Sequence, residues 1–229
     1  MKKGFGFIIL CITCLLGFGQ DENGLQQPDI PGDIMLDFGF NSLMDNKQLI
    51  NTELFPSHSI GIYYMAKRKL SDQFIFNPAI GLTFEKIGFS DRSNYQVDDL
   101  KITSWDTVSV GDLRSNRLAI TYLELPLELR FYPNQTVDGE GLFVSIGGVL
   151  GFKIAAKTKM KYKLDGSKFK ETNTGNFGLS DVRYGIVARL GFEKVNAFVK
   201  YYMSDVWHNA PIDQATPSQF TFGLNLTGF

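Results

Sequence analysis

Cysteine is almost missing from this sequence. Only Cys11 and Cys14 occur in 229 residues, both within the first twenty. That excludes a disulfide framework, and a cysteine nucleophile, for the body of the chain. Histidine is equally scarce: His58 and His208 stand far apart, with no His or Cys partner at metal-ligand spacing. No GxSxG, HExxH or phosphate-loop pattern occurs. The chain is therefore expected to be neither an enzyme nor a cofactor carrier. Its formal net charge is −1, which argues against nucleic acid as a partner. The hydrophobic fraction is an ordinary 44%, too low for a bundle of membrane helices.

Phenylalanine (20) and glycine (23) are abundant, while proline (8) is sparse. That mix favours strands and tight bends. The opening "MKKGFGFIILCITCLLGFGQ" reads as a secretory signal. Lys2 and Lys3 form its positive start, Phe5 to Leu16 its apolar run, and Gly17 and Gly19 precede a cut before Gln20. Leu10 and Thr13 fit poorly before a lipid-modified Cys. The expected organisation is a signal peptide over 1–19, a periplasmic N-terminal segment over 20–33, and one β domain over 34–229.

About eight segments alternate with period two, and none reads as an amphipathic helix. They begin near Ile34, Ser59, Phe74, Ile120, Leu142, Val182, Ala197 and Phe220. "ITYLELPLELRFYP" (Ile120 to Pro133) is the clearest. Thr121, Leu123, Leu125, Leu127, Leu129 and Phe131 fall on one face, and Tyr122, Glu124, Pro126, Glu128 and Arg130 on the other. Connections alternate short and long, the pattern of outer-membrane barrels with periplasmic turns and extracellular loops.

Alternation alone fits a soluble, lipocalin-like barrel with an apolar inside as well as a membrane barrel with an apolar outside. Four features favour the membrane form: large residues on the apolar faces, Gly and charge on the polar faces, strands of about ten residues, and aromatics at strand ends such as Phe131, Tyr132, Phe192, Trp207 and Phe229. The predicted fold is all-β, an eight-stranded antiparallel up-and-down transmembrane barrel. Eight strands leave room only for side chains. The inward polar network is expected to comprise Asp37, Lys67, Glu85, Glu124, Glu128, Arg130, Lys153, Arg183, Arg189 and Lys200. It serves either as a plug or as a narrow path for a solute. Pro126 demands a bulge, an ordered water or a kink. Phe229 falls out of phase with Leu226, which a bulge near Gly228 would repair.

Above the membrane, "KTKMKYKLDGSKFKET" reads as a hairpin turning at Asp165-Gly166. Lys157, Lys159, Lys161 and Lys163 share one face of its first strand, with Lys168 and Lys170 on the return. Lys159, Lys161, Lys163, Lys168 and Lys170, with Trp105 and Trp207, are the expected extracellular loop contacts. They act either as a solvated, edge-protecting ribbon or on an acidic polysaccharide or protein partner. Asp106-Thr107-Val108 resembles the O-glycosylation sequon of Bacteroidetes, with Thr107 as acceptor.

"YLELPLELRFYP", "LFVSIGGVLGFKIAAK", "DVRYGIVARLGFE" and "FTFGLNLTGF" together resemble the PorT-like family of outer-membrane β-barrel proteins from Bacteroidetes, small barrels of the OmpA/OmpX type. The resemblance covers essentially the whole chain after the signal. It implies location in the bacterial outer membrane, insertion by the barrel assembly machinery, and an accessory role in a larger outer-membrane complex related to type IX secretion or gliding. It brings no catalytic residues.

Overall fold

The computed structural model describes residues 32–44, 52–89, 93–98, 101–107, 112–134, 141–164, 166–208 and 217–228. The expected signal peptide and almost all of the expected periplasmic segment lie outside them, as does Phe229. Twelve strands are described: β1 (Asp33–Met44), β2 (Thr52–Met65), β3 (Arg68–Lys69), β4 (Phe74–Phe89), β5 (Ser93–Asp98), β6 (Lys101–Thr107), β7 (Asp112–Phe131), β8 (Leu142–Leu164), β9 (Ser167–Thr174), β10 (Val182–Phe192), β11 (Val195–Tyr202) and β12 (Ser218–Thr227).

Eight of them close a ring in the order β1-β2-β4-β7-β8-β10-β11-β12, and β12 returns to β1. Every pairing in the ring is antiparallel. The ring has no free edge, so its strands pair on both sides, as hydrocarbon demands. Outside it, β3 pairs with β4, β9 with β8, and β5 with β6. β7 and β8 continue well past the ring, pairing from Asp112 with Lys163 down to Phe131 with Val144.

The faces are inverted relative to a soluble barrel. Leu127, Ile146, Ile186, Leu190 and Leu224 are about half or more exposed. Glu124, Glu128, Arg130, Arg183, Arg189 and Lys200 are buried. A soluble, lipocalin-like arrangement requires the opposite and is ruled out by this placement. Alternation carries each strand's apolar set outward, where lipid removes it from water.

Pro126 produces no bulge. The β4–β7 register runs unbroken from Pro78 with Leu127 to Gly81 with Glu124, leaving 79–80 and 125–126 unpaired. The interruption around Pro126 is confined to two positions per strand, whereas the carbonyl of Pro78 turns to the β2 side and accepts from the Ala66 N–H at 2.9 Å. Near the chain's end Gly228 takes a φ of +90°, open to glycine without strain.

Candidate functional site

The interior is layered. At the end where β1 begins, Met35, Tyr63, Met65 and Ala79 form one apolar cluster, and Ile75, Tyr132 and Phe143 another. Charge fills the middle: Asp37, Glu85, Glu124 and Glu128 stand against Arg130, Arg183, Arg189 and Lys200, all buried. Four carboxylates thus face four cations. At the far end Leu43, Ile87, Leu118, Ile120 and Ala156 pack against loop residues Phe177, Leu179, Val206 and Trp207.

The charged layer is densely bonded. Arg183 makes a two-pronged contact with Glu85, both donor–acceptor distances 2.9 Å, and a third bond of 2.5 Å to Glu124. Its guanidinium also lies over the rings of Tyr122 and Tyr202, at 3.5 and 4.0 Å. Arg189 joins Asp37 (2.9 and 3.2 Å) to Glu128 (2.9 and 3.0 Å). Lys200 lies 3.0 Å from Asp37 and 3.3 Å from Glu124. Glu124 is the hub, since the Tyr63 and Tyr202 hydroxyls also donate to it at 2.6 Å. Charges removed from water are tolerable only when paired and hydrogen-bonded to this degree.

Small residues make the room. A Cβ at Gly61 or Gly81 would stand 2.5 or 2.6 Å from the Tyr63 ring, and one at Gly151 would stand 2.9 Å from Cγ of Arg183. Gly61 and Gly151 are thus sockets for Tyr63 and Arg183, while at Gly81, Gly147, Gly185 and Gly223 a Cβ would first meet the backbone of the neighbouring strand.

The ten residues expected inside divide into three groups. Asp37, Glu85, Glu124, Glu128, Arg183, Arg189 and Lys200 form the network. Arg130 is inside but apart, against Met65 Sδ at 3.4 Å and over the Phe143 ring at 4.5 Å. Two sit elsewhere. Lys67 follows β2 as an exposed residue and pairs at 2.5 Å with Asp33 on the rim, because the strand ends at Met65. Lys153 bonds Asn176, the Leu179 carbonyl at 2.8 Å and Asp181 at 2.8 Å, tying a loop to the wall. That contact holds the exposed Asp181 carboxyl below its ordinary range, through the hydrogen bond and then the charge of Lys153.

Two loops close the far mouth. Leu179 bridges to Trp207, and Ser180 and His208 donate to the carbonyls of Val206 and Gly178. Phe177 and Gly178 both take positive φ, of 51° and 65°, at the turn before Leu179. Trp207, expected as an outward contact, is 1% exposed inside this seal, because the bridge to Leu179 holds the loop inward. Tyr132, expected at an interfacial girdle, is likewise inside, 5.7 Å from Phe143. Phe131 and Phe192 do face outward, Phe131 beside Phe74 at 5.2 Å.

Lys159, Lys161, Lys163, Lys168 and Lys170 lie on the β8–β9 hairpin, with Lys161 opposite Lys170 and Lys163 opposite Lys168. Lys157 leaves the inward face that strict alternation from Lys153 gives it. A register shift opposite Thr121 and Tyr122 adds a residue, so Ala156 and Thr158 turn inward and Lys157 outward. Trp105 and Thr107 belong to β6, whose side chains lie outside the described residues. Period two extended a few residues further along the strands would have found the rest: Leu118 and Ile120 stand in phase with Glu124, and Gln219, which donates to Glu85 at 3.0 Å, with Thr221.

A family model described as an outer membrane protein beta-barrel domain matches residues 18–204. Among solved structures, Ail, the attachment invasion locus protein of Yersinia pestis, aligns at 12% identity and a TM-score of 0.37 over 86% of this chain and 99% of Ail. An outer membrane channel from Pseudomonas putida F1 aligns at 13% identity and a TM-score of 0.28, over 91% and 99%. A Rhodopseudomonas blastica porin aligns at 10% and 0.21, over 86% and 99%. No curated protein sequence matches significantly. A closed ring with its apolar face outward, together with a model matching most of its length, makes the chain a member of the outer membrane protein β-barrel domain family, set in the bacterial outer membrane.

Proposed function

We propose that the chain is a non-enzymatic barrel that works through the surface it presents outside the membrane, as a structural or accessory subunit of an outer-membrane complex. The observation that carries this reading is the filled interior. Apolar layers at both ends and a densely paired ionic layer between them leave no path for solute or substrate, as the width of an eight-stranded ring favours. Function then falls to the outer elements, chiefly the hairpin formed by β8 and β9 and the β5–β6 pair. The PorT-like resemblance supports a place in type IX secretion or gliding, with insertion by the barrel assembly machinery, and the Asp106-Thr107-Val108 sequon supports O-glycosylation at Thr107.

The test is extraction in mild detergent followed by native mass analysis. A stoichiometric large partner is expected, and it is expected to be lost when residues 157–174 are replaced by a short turn. Elution of the barrel alone overturns the reading.

A further inference from the structure

We propose that Arg117, Lys157, Lys159, Lys161 and Lys170 form a site for the phosphate groups of anionic glycolipid headgroups in the leaflet surrounding the barrel's loop end. This goes beyond the proposed function, since it concerns the lipid and holds with or without a protein partner.

The placement comes first. On β8 the outward face runs Leu150, Phe152, Ile154 and then, past the register shift, Lys157, Lys159 and Lys161. On β7 it runs Leu123, Thr121, Ala119 and Arg117, with Arg117 opposite Lys159. The cations therefore continue the lipid-facing surface rather than the lumen. Lys157 stands three residues beyond Ile154, which is 59% exposed, or about 10 Å along a strand and less when tilted. A bilayer of about 40–45 Å around a hydrocarbon core of about 30 Å leaves a headgroup layer of about 5–8 Å per side, so Lys157 stands at its outer edge and Lys159, Lys161 and Lys170 continue into the outer part of a large glycolipid headgroup. Without the shift these lysines would point into the mouth.

The charge comes second. Lys161 and Lys170 are directly opposed across the β8–β9 pair, an arrangement that repels. Among the described residues none of the five makes an ion pair; by register their face also carries Ser115, Ala119, Lys86, Lys163, Lys168, Thr172 and Thr174, and its carboxylates stand only at the margins, Glu53 beyond Gly88 from Arg117 and Asp112 opposite Lys163. Lys170 leads the causes that hold the exposed Lys159 ammonium below its ordinary range, with Arg117, Lys161 and Lys157 also contributing. A cluster that repels itself at headgroup depth is complementary to multivalent anions held in that layer.

The experiment uses the full chain in nanodiscs or micelles, with bisphosphorylated and dephosphorylated lipid A as probes, read by native mass spectrometry. Preferential retention of the bisphosphorylated form is expected. Arg117→Gln, Lys159→Gln and Lys170→Gln together are expected to weaken it about a hundredfold, roughly fivefold per cation near an anionic surface, while Lys159→Arg leaves it unchanged. Heat modifiability on gels checks that each variant folds. Equal retention of the two lipids overturns the proposal, as does indifference to the triple substitution. Displacement by inorganic phosphate at the same concentration as by the lipid overturns the assignment to a headgroup, and binding of soluble acidic polysaccharide without the lipid overturns it in favour of a surface-glycan site.

Discussion

Arg189 bonds to Asp37 and Glu128 while buried at 2% exposure. Replacing it with alanine leaves Glu128 without a cation and Asp37 with Lys200 alone, so Arg189→Ala is expected to destabilise the barrel by about 3–5 kcal/mol in urea unfolding from lipid. Pairing Arg189→Met with Glu128→Leu is expected to recover most of that, since Lys200 still holds Asp37. Arg130 provides the contrast. It contacts sulfur and an aromatic ring rather than a carboxylate, and Arg130→Met is expected to cost less than Arg189→Ala in the same measurement. The inward charges were legible because period two assigns a face without knowledge of neighbours. Which charges meet was not legible. Asp37 and Arg189 lie 152 positions apart, and their contact depends on closure of the ring.

β8 shows how an element departs from its own pattern. Its lower half obeys strict alternation; one extra residue near Ala155 then reverses the faces of everything above. No local sequence signal marks that shift, because Ala155 and Ala156 fit either phase. On the lower half, Leu127 of β7 faces lipid opposite Gly148, which in turn pairs with Ile186 near the middle of β10. Leu127→Arg is expected to cost about 2–4 kcal/mol, against little for the same change at a hairpin position such as Thr172. The loop seal is an element too, tied to the wall by Lys153 and Asp181. The Asp181 carboxyl is depressed by Lys153, so this contact contributes stability above the unfolded carboxylate value near pH 4 and loses it as pH falls through the lower folded value. Trp207 emission should therefore hold steady from pH 8 to pH 5. Asp181→Asn should loosen the loop at neutral pH, seen as faster hydrogen exchange at Ser180 and His208. Unchanged exchange in that variant contradicts the tie.

For the whole molecule, eight strands, short turns at one end and the inverted faces were all readable from spacing and side-chain class, because a barrel repeats one rule around its circumference. The apolar layers at the two ends were not. Leu118 and Ile120 look like lipid-facing residues until β7 is extended through them in phase with Glu124, and Trp207 looks like a girdle residue until its loop bridges to Leu179. These layers close both ends of an ionic lumen and are the basis of the proposed role for the exterior. The most direct test is planar-bilayer conductance of the purified full chain. Wild type is expected to give no steady current above the bare bilayer, and flickering current is expected to appear only when Arg189→Ala opens the ionic layer. A steady open-channel current from the wild-type barrel contradicts the sealed lumen and returns the charged interior to the role of a solute path.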